Sequence, residues 1–239
     1  MSRATRSAVL LLAMATLGFL GTNCGTDHSQ VRFVQASPDA NPQDIAADGK
    51  TVATNLAFGS VSPASDYVVL SAGTRRIETR DTGTTTDLIN TTIAFASQKT
   101  YTLLVSGKIS DKSIAAVLKT DDNSAPPSGN VKLRFIHDAP DADVLGPVPV
   151  DVYIVAPGTD ITGLSPTIAS LGYQQASNYQ TLPAATYEVI VTVAGDPTRV
   201  LIDKAPYDLA AGQIRTLVSV DVAGGAEISD TPLLLSDLN

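Results

Sequence analysis

Apolar and polar residues alternate in short runs along most of this chain. Tyr101, Leu103 and Val105 alternate with Thr100, Thr102 and Leu104. Val150, Val152 and Ile154 alternate with Asp151 and Tyr153, and Tyr187, Val189, Val191 and Val193 alternate with Glu188, Ile190 and Thr192. A period of two puts one set of side chains on a core, so each run predicts a β-strand with one buried face. Turn signals separate the runs: Asp48-Gly49, Ala72-Gly73, Asp81 to Gly83, Pro157-Gly158, Gly195 to Pro197 and Ala211-Gly212. The expected fold class is all-β. About seven strands per roughly 100 residues predict an immunoglobulin-like β-sandwich, with a small barrel as the alternative.

The pattern occurs twice. Val31 to Ala40 returns as Leu133 to Ala142, and Asp44-Ile45 as Asp151-Val152 after a longer loop. Phe58-Gly59 returns as Leu171-Gly172, Ala64 to Tyr67 as Ala176 to Tyr179, and Leu70 to Ala72 as Leu182 to Ala184. Phe95 to Leu104 returns as Leu209 to Val218. Blocks repeated in the same order mark a duplicated structural unit. Asp121 to Asn130 lies between the copies and is rich in polar residues, Pro and Gly, the composition of a linker. The expectation is two tandem immunoglobulin-like β-sandwich domains, residues 31–120 and 131–239, joined by a linker at 121–130.

The N-terminus reads as an address. Arg3 and Arg6 precede Ala8 to Gly21, a run of apolar or small residues broken only by Thr16. It is shorter than the ~20 residues that span a bilayer as a helix, and it fits the apolar region of a secretory signal. Cys24, the only cysteine in the chain, follows at the cleavage region. A lone cysteine in an exported chain has no internal disulfide partner. Its placement resembles a bacterial lipoprotein signal, with Gly21 and Asn23 where that pattern has Leu and a small residue, and Leu20 one step early. The resemblance implies lipidation of Cys24, a signal peptide over residues 1–23, a tether over 24–30, and a membrane anchor at the outer membrane or cell surface. Secretion after cleavage behind Ala13-Met14-Ala15 is the alternative.

Val31 to Val34 with Ser37 to Ala40, the block of Phe58-Gly59, Tyr67, Leu70 and Ala72-Gly73, and the closing Tyr101 to Leu103 strand together resemble the bacterial domain of unknown function 4397. The resemblance covers both copies and implies an exported β-sandwich. It brings no catalytic residues. The second copy departs from the pattern by its loop Asp143 to Pro149 and by Ala185 in place of Gly73.

Composition narrows the function. Hydrophobic residues make up 44% and charged residues 17%, enough for a packed core. The formal charge of −8 becomes −10 once Arg3 and Arg6 leave with the signal, and no Lys/Arg cluster offsets it, so nucleic acid is not an expected partner. Pro38-Asp39-Ala40 and Pro140-Asp141-Ala142, with Asp138, Asp143 and Asp151, could supply oxygens to calcium, but no Asp-x-Asp-x-Asp-Gly loop is present. Turn chemistry, with each Asp bonding the backbone two residues on, is the expected role. His28 and His137 have no His-x-x-x-His spacing, and no nucleophile elbow accompanies them. His137 aligns with Gln35 and is expected to be an ordinary strand or surface residue. Tyr67 and Tyr179 recur in the same block and are expected to be core residues bonding nearby backbone, as in a tyrosine corner, rather than a sugar-stacking platform.

The chain therefore reads as a non-enzymatic exported envelope protein with a binding or structural role. No cofactor, metal or catalytic residue is expected. Its partner would be a protein or polymer of the envelope, contacted through the divergent loops Asp81 to Asn90, Asp143 to Pro149 and Gly158 to Pro166. A secreted adhesin or polymer-binding module is one alternative. A hydrolase whose acidic pair assembles only in three dimensions is the other.

Overall fold

The computed structural model describes residues 27–142, 146–225 and 227–237. The signal segment, Cys24 and Asp143 lie outside them. Every regular element among the described residues is a β-strand. The first half holds β1 (His28–Gln35), β2 (Gln43–Ala47), β3 (Lys50–Leu56), β4 (Val61–Ser62), β5 (Val68–Ser71), β6 (Gly73–Asp81), β7 (Asp87–Phe95), β8 (Thr100–Ser106) and β9 (Ala115–Asp121). The second half holds β10 (Asn130–His137), β11 (Val150–Val155), β12 (Ile168–Leu171), β13 (Gln175–Ala176), β14 (Gln180–Pro183), β15 (Ala185–Val193), β16 (Asp196–Leu209), β17 (Ile214–Ser219) and β18 (Leu233–Ser236). That is nine strands per half where seven were expected. The connection after the first long hairpin of each half breaks into two short strands, β4 and β5 or β13 and β14, which both pair with the opening strand.

The two halves repeat one topology. In the first, one sheet runs β4-β1-β8-β9 with β5 also on β1, and the other runs β3-β2-β6-β7. In the second, the orders are β13-β10-β17-β18 with β14 on β10, and β12-β11-β15-β16. β1 and β8 are parallel, as are β10 and β17, and every other pairing is antiparallel. Each half encloses its own core. Val31, Phe33, Ile45, Ile77, Ile89, Tyr101 and Leu103 fill the first. Val131, Leu133, Phe135, Val152, Val189, Val191 and Leu217 fill the second. Burying each such aliphatic side chain stabilises by about 1.5–3 kcal/mol.

The expected single buried face fails for four strands, and the failure is informative. β1, β8, β10 and β17 are buried on both faces. Their second face carries Val34, Leu104, Ile136 and Val218, which join Ala36, Val220 and Leu235 in a third core made by both halves together. Phe58, Val61, Val117, Ala176 and Leu233 pack around its edge. A strand covered on both sides reads as a nearly continuous apolar run, as Val31 to Val34 and Leu133 to Ile136 do but for one residue each. That residue is an arginine in both copies.

The connection 122–129 is itself tied down. Lys132 Nζ donates to the carbonyl oxygens of Asp122 and Ser124 and pairs with the Asp122 carboxylate at 2.7 Å. The third core, rather than this connection, holds the halves together. Inserting a protease site between Ala125 and Pro126 and cutting it should therefore leave two fragments that co-elute in native size-exclusion chromatography. They should separate only in denaturant. Fragments that part under native conditions would refute a shared core.

Candidate functional site

The junction between the halves gathers the chemistry-bearing residues of the molecule. At its centre Arg32 on β1 reaches into the second half. Its Nη2 donates to Asp237 Oδ1 at 2.5 Å, its Nη1 to the Ser236 carbonyl at 2.8 Å, and its Nε to Thr102 Oγ1 at 2.8 Å. Arg134 on β10 makes the same set in reverse. Its Nη2 donates to Asp121 Oδ1 at 2.6 Å, its Nη1 to the Thr120 carbonyl at 2.9 Å, and its Nε to Thr216 Oγ1 at 3.2 Å. The equivalent tyrosines complete the pattern. Tyr67 donates its hydroxyl to Asp121 Oδ2 at 2.9 Å, and Tyr179 donates to Asp237 Oδ2 at 2.7 Å. Thr102 and Thr216 donate to the same two oxygens, both at 2.8 Å. Strand register explains the equivalence: Arg32 pairs with Thr102 on β8 exactly as Arg134 pairs with Thr216 on β17. The junction thus has a pseudo-two-fold axis.

All four charges are buried, and they cancel. The side chains of Arg32 and Arg134 are 2% exposed, and those of Asp121 and Asp237 are 0% exposed. Asp121 also lies 3.7 Å from Arg32, which links both pairs into one chain of charge. Burial works against the Arg32 cation, yet Asp237 and Asp121 outweigh it and hold its pKa above the ordinary value. Burial, then the Asp121 carboxylate, pushes the Tyr67 hydroxyl up. Burial likewise raises Tyr179. The guanidinium of Arg32 sits 5.3 Å from the Tyr67 ring centre, and Arg134 and Lys132 sit 4.7 and 5.0 Å from that of Tyr179. The tyrosines are therefore structural, as expected from sequence, but they bond carboxylates rather than backbone and are not tyrosine corners. With Lys132 and Arg134 both against it, the Tyr179 ring is already engaged within the chain.

The two Pro-Asp-Ala motifs also meet at the junction. The Asp39 carboxylate accepts bonds from the amides of Ile109 and Ser110, at 2.8 and 2.9 Å, in the turn between β8 and β9. Its partial burial works against the charge, but those amides hold its pKa below the usual range. Asp141 pairs with Lys108 of that turn at 2.7 Å. These carboxylates therefore bind a distant turn instead of the backbone two residues on. Gly107 (φ 79°) makes the turn: a Cβ there would stand 2.4 Å from the Ser113 carbonyl oxygen. Asp151 spends its carboxylate on the amides of Ser170 and Gly195, at 2.7 and 2.8 Å. Among the described residues no three His, Cys, Asp or Glu side chains are grouped to hold a metal.

One end of the junction is more polar than the other. Asp138 is fully buried, with Oδ1 accepting from Ser106 Oγ at 2.6 Å and Oδ2 lacking a hydrogen-bond partner. Gln174 donates to the same Ser106 oxygen at 2.9 Å, and the Tyr173 hydroxyl lies 3.4 Å from it. Burial pushes the Asp138 carboxyl up to about 8 and that of nearby Asp221 up to about 7. His137 is buried in β10, with its ring nitrogens 3.0 Å from Ser219 Oγ and the Val148 carbonyl, and burial lowers it to about 4. It is a strand residue as expected, with no surface. His28 lies exposed at the start of β1.

Beside this end runs an open groove of about 470 Å³, lined by Lys119, Asp122 and Arg134 and by Ser177, Asn178 and Tyr179. Arg32, Arg134, Asp121, Asp237 and Lys119 were not singled out from the sequence. The available signal was an arginine recurring inside the most apolar strand of each repeat, since a charge pointing into a core requires a partner.

The model of a family described as a domain of unknown function (DUF4397) matches residues 29–146, spanning the first half, the connection and β10. It supports the family resemblance read from the sequence. No curated protein matches the chain. Among solved structures, the family 41 carbohydrate-binding modules of streptococcal virulence factors, described by their α-glucan recognition, are similar at a TM-score of 0.28 and 8% identity, covering 85% of this chain and 97% of theirs. A family 26 carbohydrate-binding module from Eubacterium rectale, solved with maltoheptaose, is similar at a TM-score of 0.24 and 10% identity, covering the same shares.

Two predictions test the junction. Arg32→Met strands the buried Asp237 carboxylate and should destabilise by about 3–5 kcal/mol in denaturant unfolding. Arg32→Met with Asp237→Leu should cost clearly less than the two single changes added together. Additive losses would show that the two groups are not coupled.

The second concerns Asp138. Its native pKa lies above its unfolded one, so the native state keeps a proton that the unfolded chain releases between pH 4 and 8. Stability contributed by this group is present at low pH and is lost as pH rises through 8, with a slope on the order of 1 kcal/mol per pH unit. Asp138→Asn should flatten the fall in unfolding free energy between pH 5 and 8. An unchanged profile would show that Asp138 does not hold the proton.

Proposed function

We propose that this chain is an exported, non-catalytic envelope protein, held to a membrane by a lipid on Cys24, whose two immunoglobulin-like copies form one binding or structural unit. The observation that carries the binding role is the groove between the halves. A groove lined by β9 of one copy and the β13–β14 segment of the other keeps its shape only if the copies cannot move apart. The shared core and the buried Arg–Asp network supply that rigidity. Its volume falls in the range of small-molecule sites, ~300–1,000 Å³. The central charged groups are occupied with one another, so they serve the scaffold and leave the chemistry of recognition to the rim. This favours binding over turnover.

The anchor follows from the lone Cys24 behind an apolar run, and the tether explains its geometry. Gly25 to Asp27 are the only residues between Cys24 and β1, so the first half would sit within about 15 Å of the membrane surface. Cys24→Ala should move the protein from the membrane fraction of the producing cell to the soluble fraction, and mass spectrometry of the wild-type mature N-terminus should show an acylated cysteine. A wild-type protein that is soluble and unacylated would make the chain a secreted binding module instead.

A further inference from the structure

The pseudo-two-fold symmetry of the junction makes its exceptions visible. Thr102 on β8 pairs with Lys119 on β9, and the equivalent Thr216 on β17 pairs with Leu235 on β18. Lys119 and Leu235 are therefore equivalent positions. Leu235 is buried in the shared core. Lys119 is half-buried on the same face of its strand and lines the groove. A second exception lies beside it. Ala36, buried in the shared core, has Asp138 as its equivalent in the repeat. One end of the junction is closed by Leu235 and Ala36. The other carries Lys119 and Asp138 and stands open.

The Lys119 ammonium makes no ion pair or hydrogen bond with any described residue. Around it Arg134 is paired with Asp121, and Lys132 with Asp122. Lys119 is thus the groove cation with no carboxylate within 4 Å among the described residues; burial lowers its pKa, and the more distant Asp138 carboxyl opposes that shift only in part. A half-desolvated cation without a contacting counterion is an under-satisfied site, and an anion placed against it relieves the cost. The rim adds a neutral polar group: Asn178 is exposed in the groove, and its side chain is not bonded to another described residue. One cation beside an exposed amide matches a ligand with one carboxylate and neighbouring hydroxyls.

We propose that the groove beside Lys119 binds a sugar acid of the uronate class, its carboxylate on Lys119 and a neighbouring hydroxyl on the Asn178 amide. The inference deepens the binding role proposed above and rests on it. The net negative charge of the chain repels long polyanions, so a free sugar acid or the end of an acidic polysaccharide fits better than the middle of one.

The test uses the full exported chain and isothermal titration with glucuronate, with glucose as the neutral control and a glucuronate-terminated oligosaccharide as the polymer-end arm. Glucuronate or the oligosaccharide should bind at least tenfold tighter than glucose. Binding of both acids marks a free sugar acid as sufficient, and binding of the oligosaccharide alone marks the polymer end. Lys119→Leu, which copies the equivalent residue of the other half, should lower that affinity at least tenfold, and Lys119→Arg should retain it within a few-fold. Thermal unfolding checks that the variants fold, and Lys119→Gln serves if the leucine variant does not. Neither acid binding above glucose, or full affinity in folded Lys119→Leu or Lys119→Gln, would overturn the proposal. Failure here leaves the anchor and the envelope role standing, since membrane fractionation tests those separately.

Discussion

The reciprocal pairing of Arg32 with Asp237 and of Arg134 with Asp121 is the constraint on which the rest of the molecule depends. Four charges removed from water carry a desolvation penalty of several kcal/mol each. The penalty is offset only because each guanidinium meets a carboxylate, a carbonyl and a threonine hydroxyl at once, and each carboxylate also receives a tyrosine. Each arginine makes its closest carboxylate contact in the other half, with Asp237 just after β18 or Asp121 at the end of β9; within its own half Arg32 only reaches Asp121 at 3.7 Å. An apolar junction of the same area would hold two sandwiches together in several orientations. The charged pairs accept one. Fixing a single register is the best-attested role of buried polar groups, and here it sets the relative placement of the two halves.

That placement has consequences at both ends of the interface. Where the loops meet, the Pro-Asp-Ala motifs become fasteners. Asp39 holds the β8–β9 turn, the Lys108 of that turn pairs with Asp141, and the Gly224 amide bonds the Pro38 carbonyl from the second half. At the flank, the same packing leaves the groove beside Lys119. Scaffold and candidate site are thus products of one geometry. A ligand there would touch both halves without either having to move.

Much of this was legible in the sequence. The alternation at Tyr101 to Val105 and at Tyr187 to Val193 located β8 and β15, and the repeated blocks anticipated the repeated topology. The recurrence of Tyr67 and Tyr179 correctly indicated a structural role. Misread was the second face of β1, β8, β10 and β17. Leu104 looked like the outward member of an alternating strand, yet it lies in the shared core. Periodicity within a strand reports burial against its own sheet partner and says nothing of a second layer. Asp121 looked like the opening of a polar linker because its neighbours are polar. Its partner, Arg134, is thirteen residues away in sequence and in the other half, a pairing that composition cannot show.

The Asp138 region shows how a duplicated scaffold can acquire a new property without losing its fold. In a symmetric junction, Ala36 and Val220 on one side would face identical residues on the other. Instead the equivalents are Asp138 and Ser106, which bond each other at 2.6 Å across the halves. Replacing an apolar contact with a carboxylate in a dry interface is costly, and the cost here is limited in two ways. Ser106 donates to one oxygen, and burial keeps a proton on the group up to about pH 8. Lys119 and Asp138 also act on one another, each favouring the charged form of the other. The two departures from symmetry are therefore linked. The central network common to both halves lets both changes be tolerated at one end while the other remains packed by Leu235 and Ala36.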